Sequence, residues 1–142
     1  MFRTLDETIM VAPQIGTDAV AEAVGQGVTL IINNRPEGES DDQVPGAEIE
    51  SAAHAAGIDY VAIPITHSGF SEAQVTAMSD ALESATGRVL AYCRSGTRST
   101  LLWALAQSAV GEHPDILAEK AAKAGYDLAP VATLMEILRA KA

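Results

Sequence analysis

The run Val28-Thr29-Leu30-Ile31-Ile32-Asn33 constrains the fold of this chain more than any other stretch. It is apolar and β-branched almost throughout, the pattern of a strand covered on both faces, and such strands belong to parallel sheets with helices above and below. Residues 8–12, 59–63 and 89–92 read as three further short strands. Helical patterns alternate with them over residues 17–26, 46–56, 71–85 and 98–109. That order predicts an α/β domain of three layers around a mostly parallel central sheet. The third helix carries its own start signal: Ser71 followed by Gln74 has capping-box spacing, and Val75, Met78 and Leu82 then recur on one face. Gly87 reads as its stop. Pro114 and Pro130 each suit a first helical position and predict two more helices. Gly125 would end the first, and Val131, Leu134, Ile137 and Leu138 mark the buried stripe of the second. Neither a repeat nor a linker divides the chain, so residues 1–142 are expected to form one domain.

The formal net charge is −10. A binder of nucleic acid needs a basic footprint, so that class is excluded, and docking on anionic membrane is disfavoured. No apolar run approaches the roughly 20 residues of a membrane span. Residues 1–12 lack a basic segment followed by an apolar core, so no secretory leader is expected. The one cysteine rules out an internal disulfide and fits a reducing cytoplasm. Residues 35–45 read as a mobile loop whose Glu37, Glu39, Asp41 and Asp42 form a solvated acidic run. The exception to the acidic character is local. Arg88, Arg94 and Arg98 fall around the only cysteine, which makes a small anion a better partner than a polyanion.

The chemistry concentrates in Cys93-Arg94-Ser95-Gly96-Thr97-Arg98-Ser99, between an apolar strand and a helix that starts near Arg98. Such a turn brings a thiol against backbone N–H groups and the positive end of a helix dipole, and both favour the thiolate. Arg94 and Arg98 add positive charge, Gly96 lets the loop turn, and Ser95, Thr97 and Ser99 offer hydroxyl donors. Cys93 is therefore read as a nucleophile, with Arg98, inside an anion cradle built from Arg94, Ser95, Gly96, Thr97 and Ser99. The plainer alternative is a buried structural cysteine beside two surface arginines. Two residues are secondary candidates. Arg35 ends a central strand on the side where parallel sheets bind ligands, and His67 is able to exchange a proton near neutrality. His54, His67 and His113 lack metal-ligand spacing, and Gly25-Gln26-Gly27 precedes a strand where a dinucleotide fingerprint would follow one. No metal and no cofactor is implied.

The segment from Cys93 to Arg98 resembles the active-site loop of rhodanese-type sulfurtransferases. It is also similar to the phosphate loop of tyrosine and dual-specificity phosphatases. That loop has five residues between Cys and Arg and usually a His before the Cys; here there are four, and Tyr92 stands in the His position. Further segments, Ile31 to Glu39, Tyr60 to Pro64 and Ala124 to Leu128, resemble a bacterial family of phosphatase-like fold, the beta-lactamase hydrolase-like phosphatase-like or sulfurtransferase family. Its members stand alone or are fused to persulfide dioxygenases. The resemblance implies a cysteine-phosphatase-like fold and a functional link to a persulfide dioxygenase.

Two reactions follow. A phosphatase of this type needs a general acid, usually an Asp on a loop upstream of the cysteine; the matching loop, residues 64–70, holds His67 and no acidic residue. Sulfur transfer needs none when the leaving group is a stable anion such as sulfite. The sequence alone therefore ranks sulfur transfer first: a small anionic donor such as thiosulfate or a persulfide would leave a Cys93 persulfide, to be taken up by a low-molecular-weight thiol. Hydrolysis of a phosphorylated substrate ranks second. A non-catalytic anion-sensing or interaction domain is the third reading.

Overall fold

The computed structural model describes all 142 residues, Met1–Ala142. Strands β1 (Arg3–Thr4) and β2 (Ile9–Ala12) lead into helix α1 (Ala19–Gly25) and strand β3 (Val28–Asn33). Helix α2 (Gly46–Ala55), strand β4 (Asp59–Ala62), helix α3 (Glu72–Ser84) and strand β5 (Arg88–Tyr92) follow. The chain closes with α4 (Thr97–Ala109), α5 (Pro114–Lys123), a 3₁₀ turn (Ala129–Val131) and α6 (Ala132–Ala140). The sheet order is β1-β2-β5-β3-β4, and only β1 is antiparallel. No helix is long and apolar enough to cross a membrane.

Strand alternation sorts the core into two clusters. Ile9, Val11, Val89, Ala91, Leu30 and Ile32 face α3, α4, α5 and α6. Met10, Ala12, Leu90, Tyr92 and Ile31 face α1 and α2. Val28 and Leu30 occupy opposite faces although they are two residues apart, because the register with β5 slips between them at Thr29. Helix α4 is buried nearly all round, from Ser99 to Ala106, with Trp103 and Leu105 fully enclosed. That enclosure leaves its first turn little freedom, which matters because the first turn adjoins Cys93.

The expected mostly parallel three-layer α/β architecture is present, with small differences in the elements. The capping box of α3 forms: the Gln74 N–H donates to Ser71 Oγ at 3.2 Å and the Ser71 N–H to Gln74 Oε1 at 2.7 Å. The helix ends at Ser84, before Gly87, whose Cβ position would collide with Thr29 Cγ2 at 2.6 Å. Pro114 opens α5 as expected, whereas Pro130 lies in the 3₁₀ turn and α6 starts at Ala132. Ile137 is 46% exposed and Met135 takes the buried place. Ile137 is six positions from Val131, roughly 240° round the helix, so the two cannot share one face. The pair Arg3–Thr4 is too short to leave a pattern in the sequence.

Leu105→Ala would empty a closed site between α4 and its neighbours. Urea unfolding should show a loss of about 2–5 kcal/mol, the usual cost of truncating a fully buried leucine.

Candidate active site

Strands β2, β5, β3 and β4 end at one edge of the sheet, and the loop after β5 begins there with Cys93. Register pairs Asn33 with Tyr92, which sets Asn34 beside Cys93. Three backbone hydrogen bonds fix the floor: Asn34 N–H to Tyr92 O at 2.8 Å, Gln14 N–H to Arg94 O at 3.2 Å and Cys93 N–H to Ala12 O at 3.4 Å. Cys93 is fully buried, and its sulfur accepts the Gly96 N–H at 3.1 Å. Asn34 is also buried; its amide donates to Ile63 O while its own oxygen has no donor.

Gly96 has φ +90°, a left-handed conformation that costs a side-chain-bearing residue but not glycine. It precedes α4 without any side-chain cap on the helix. The backbone N–H groups of Arg94, Ser95, Arg98 and Ser99 donate to no protein acceptor. A turn lined with free amides at a helix start gathers partial positive charge, because its backbone donors lack partners. Ser95 and Thr97 hydroxyls bond to each other at 3.0 Å at the surface, and the Ser99 hydroxyl is buried without a partner.

The arginine of the loop is oriented from outside it. Arg98 forks onto Glu39 at 2.7 and 2.8 Å and also donates to Ile65 O at 2.9 Å. Glu39 takes a third bond, from Arg35 Nε at 2.9 Å. Hydrogen bonding to Arg98 is the main cause that holds the Glu39 carboxyl down at about 2; burial opposes it and Arg35 assists. Arg98 in turn is raised, first by Glu39 and with a contribution from the neighbouring Cys93. Arg35, 4% exposed, bonds through its two terminal nitrogens to Gln14 Oε1 and Ser40 Oγ, each at 3.0 Å. It therefore reaches the site through Glu39 and makes no bond to the cysteine loop.

This arrangement corrects the reading of residues 35–45 as a mobile, solvated run. Glu37, Asp41 and Asp42 are exposed. Glu39, however, is turned inward, and the loop is cross-braced: Gln43 accepts the Glu39 N–H and donates to Pro36 O, while Glu37 accepts the Gly46 N–H, each at 2.9 Å. The acidic run lacked a partner only along the chain; in space it meets Arg98. Other candidates separate. Arg94 is exposed and lies near the Asp42 carboxylate, whose acid strength it helps to raise after Ser40 and the local backbone. His67 is exposed and makes no hydrogen bond. Arg88 sits at the opposite end of β5, bonded to Gln26 O at 3.2 Å. Tyr92 packs toward α1 and α2, where burial raises its phenol. Sequence reasoning missed Glu39 and Gln14 as partners of the site arginines; the i, i+4 spacing of Arg35 and Glu39 was the one available signal.

Residues 1–110 match the family described as "Beta-lactamase hydrolase-like protein, phosphatase-like domain". A beta-lactamase hydrolase-like protein of Xylella fastidiosa is 34% identical over 134 residues, which is 93% of this chain and 31% of that protein. The corresponding protein of Agrobacterium fabrum is 35% identical over 75% of this chain and 25% of its own length. The chain thus spans about a third or less of the curated relatives it matches. Among solved structures, a candidate phosphatase from Neisseria meningitidis superposes with a TM-score of 0.84 at 30% identity, covering 96% of this chain and 97% of that one.

Replacing Glu39 by Gln removes the charge that Arg98 and Arg35 share. Because the folded carboxyl titrates at about 2 against an ordinary 4.5, Glu39 contributes stability above the ordinary value and loses it as pH falls through the folded one. The stability gap between wild type and Glu39→Gln, measured by denaturant titration, should therefore be flat from pH 8 down to pH 5. It should close progressively as the pH drops from there toward about 2.

Proposed function

This chain belongs to the phosphatase-like domain family of the beta-lactamase hydrolase-like proteins, and from that premise we propose a cysteine-dependent phosphatase. The observation that carries this reading is a buried Cys93 whose sulfur accepts the Gly96 N–H, in a loop that also holds unpaired amides and leads into an Arg98 held by Glu39. The family and the 30%-identical phosphatase neighbour favour phosphoryl transfer over the sulfur transfer that the loop spacing ranked first.

The Cys93 thiolate attacks phosphorus in line with the ester oxygen. The S–P bond forms, the P–O bond breaks, and the leaving oxygen departs with the bonding pair as an anion. Water then attacks the phosphocysteine, the S–P bond breaks, and inorganic phosphate departs with the thiolate restored. The free amides and Arg98 bind the phosphoryl oxygens throughout, and their donors do not have to reorganise as charge moves onto those oxygens. The carboxylate bonded to Arg98 is not the acid: Glu39, held at about 2, is ionised at neutral pH. With no acidic residue in the loop of residues 64–70 either, the site suits leaving groups that depart unprotonated, such as phenolates and the carboxylates of acyl phosphates.

A second reading is favoured by that same missing acid and by the four-residue spacing between Cys93 and Arg98. In it the thiolate attacks the outer sulfur of thiosulfate, the S–S bond breaks and sulfite leaves. A thiol acceptor then removes the sulfur from the Cys93 persulfide.

Purified protein should hydrolyse aryl phosphates faster than alkyl phosphates. Cys93→Ser should fall to background, and Arg98→Ala should lose about a hundredfold or more in kcat/KM, as removal of an oxyanion donor does. Turnover that survives Cys93→Ser would refute the assignment.

A further inference from the structure

The Ser95–Gly96 peptide is gripped at both ends. It is trans, as is every peptide bond in the chain, so its N–H and C=O point in opposite directions. The N–H is on Cys93 Sγ at 3.1 Å, and the carbonyl accepts the Tyr126 hydroxyl at 3.0 Å. Tyr126 follows α5 and closes over Gly96 so tightly that a Cβ there would meet its hydroxyl. Arg3, on β1, steadies the ring: its guanidinium lies 5.3 Å from the ring centroid and donates to Ala124 O at 3.1 Å. Tyr126 thus reaches the peptide unit from 31 positions away, and Arg3, from the start of the chain, braces the tyrosine.

We propose that Tyr126 is a positioning residue that keeps the Ser95 carbonyl turned away from the sulfur, so that an N–H faces Cys93 and the anion bound there. This rests on the anion-binding reading of the loop given above. Gly96, without a side chain, has easy access to alternative backbone conformations. A flip of the Ser95–Gly96 unit would replace the N–H with a carbonyl oxygen and set a negative dipole against the thiolate and its ligand. Tyr126 opposes the flip from the outer side, and burial raises its phenol, which keeps the donating proton in place. Arg3 acts one step further out, by fixing the plane of the ring.

The test compares wild type with Tyr126→Phe, which keeps the ring and removes the hydroxyl, and with Arg3→Met. Two readouts are local to the loop: hydrogen exchange of the Gly96 amide by NMR, and affinity for tungstate as a tetrahedral oxyanion probe. Tyr126→Phe should speed Gly96 exchange about tenfold while leaving the Thr100 amide, bonded to Gly96 O at 3.0 Å, at its wild-type rate. Tungstate binding should weaken about three- to tenfold, the worth of one hydrogen bond. Arg3→Met should shift both readouts in the same direction by less. Wild-type values of either readout in Tyr126→Phe would overturn the proposal. Failure of the wild-type protein to bind tungstate would instead overturn the anion cradle, and Gly96 exchange alone would then decide the role of Tyr126.

Discussion

The Glu39 carboxylate is shared between two arginines from different parts of the chain, and the geometry of the site depends on that sharing. Arg35 is almost wholly buried, and a buried guanidinium is tolerated only when its donors are matched. Glu39, Gln14 and Ser40 supply that match. Satisfying Arg35 turns Glu39 inward, and the inward carboxylate receives the fork of Arg98. The charge that would bind a substrate anion is thereby aimed before any anion arrives. Because Glu39 stays ionised down to about 2, the pair persists across the whole physiological pH range.

The sheet supplies the second constraint. Four parallel strands end together, so the cysteine after β5, the Asn34 that follows β3 and the turn after β2 are neighbours without further design. Helix α4, buried on nearly every side, anchors the far end of the cysteine loop. Between these fixed ends the loop has few choices, and Gly96 at φ +90° takes the turn that an L-residue would resist.

Much of this was legible in the residues. The apolar run at Val28–Asn33 announced a doubly covered strand, Ser71 and Gln74 announced a helix start, and the stretch from Cys93 to Arg98 announced a turn that sets a thiol against a backbone N–H. These signals are local, carried by periodicity and short-range spacing. What stayed hidden was long-range: Glu39 lies 59 positions from Arg98 and Tyr126 lies 31 from Ser95. The acidic stretch looked solvated because its partner is distant along the chain. His67 looked useful because it stands in the loop where phosphatases of this type carry an acid and imidazole exchanges a proton near neutrality, yet its side chain stays in solvent.

The chemistry turns on what Cys93 carries between the two halves of a reaction. Acid quenching of the protein mixed with an aryl phosphate, followed by intact-mass measurement, captures that intermediate directly. A phosphoryl adduct on wild type that is absent from Cys93→Ser is the result this account predicts. No phosphoryl adduct, together with the gain of a single sulfur atom on Cys93 from thiosulfate, would contradict it and establish sulfur transfer in its place.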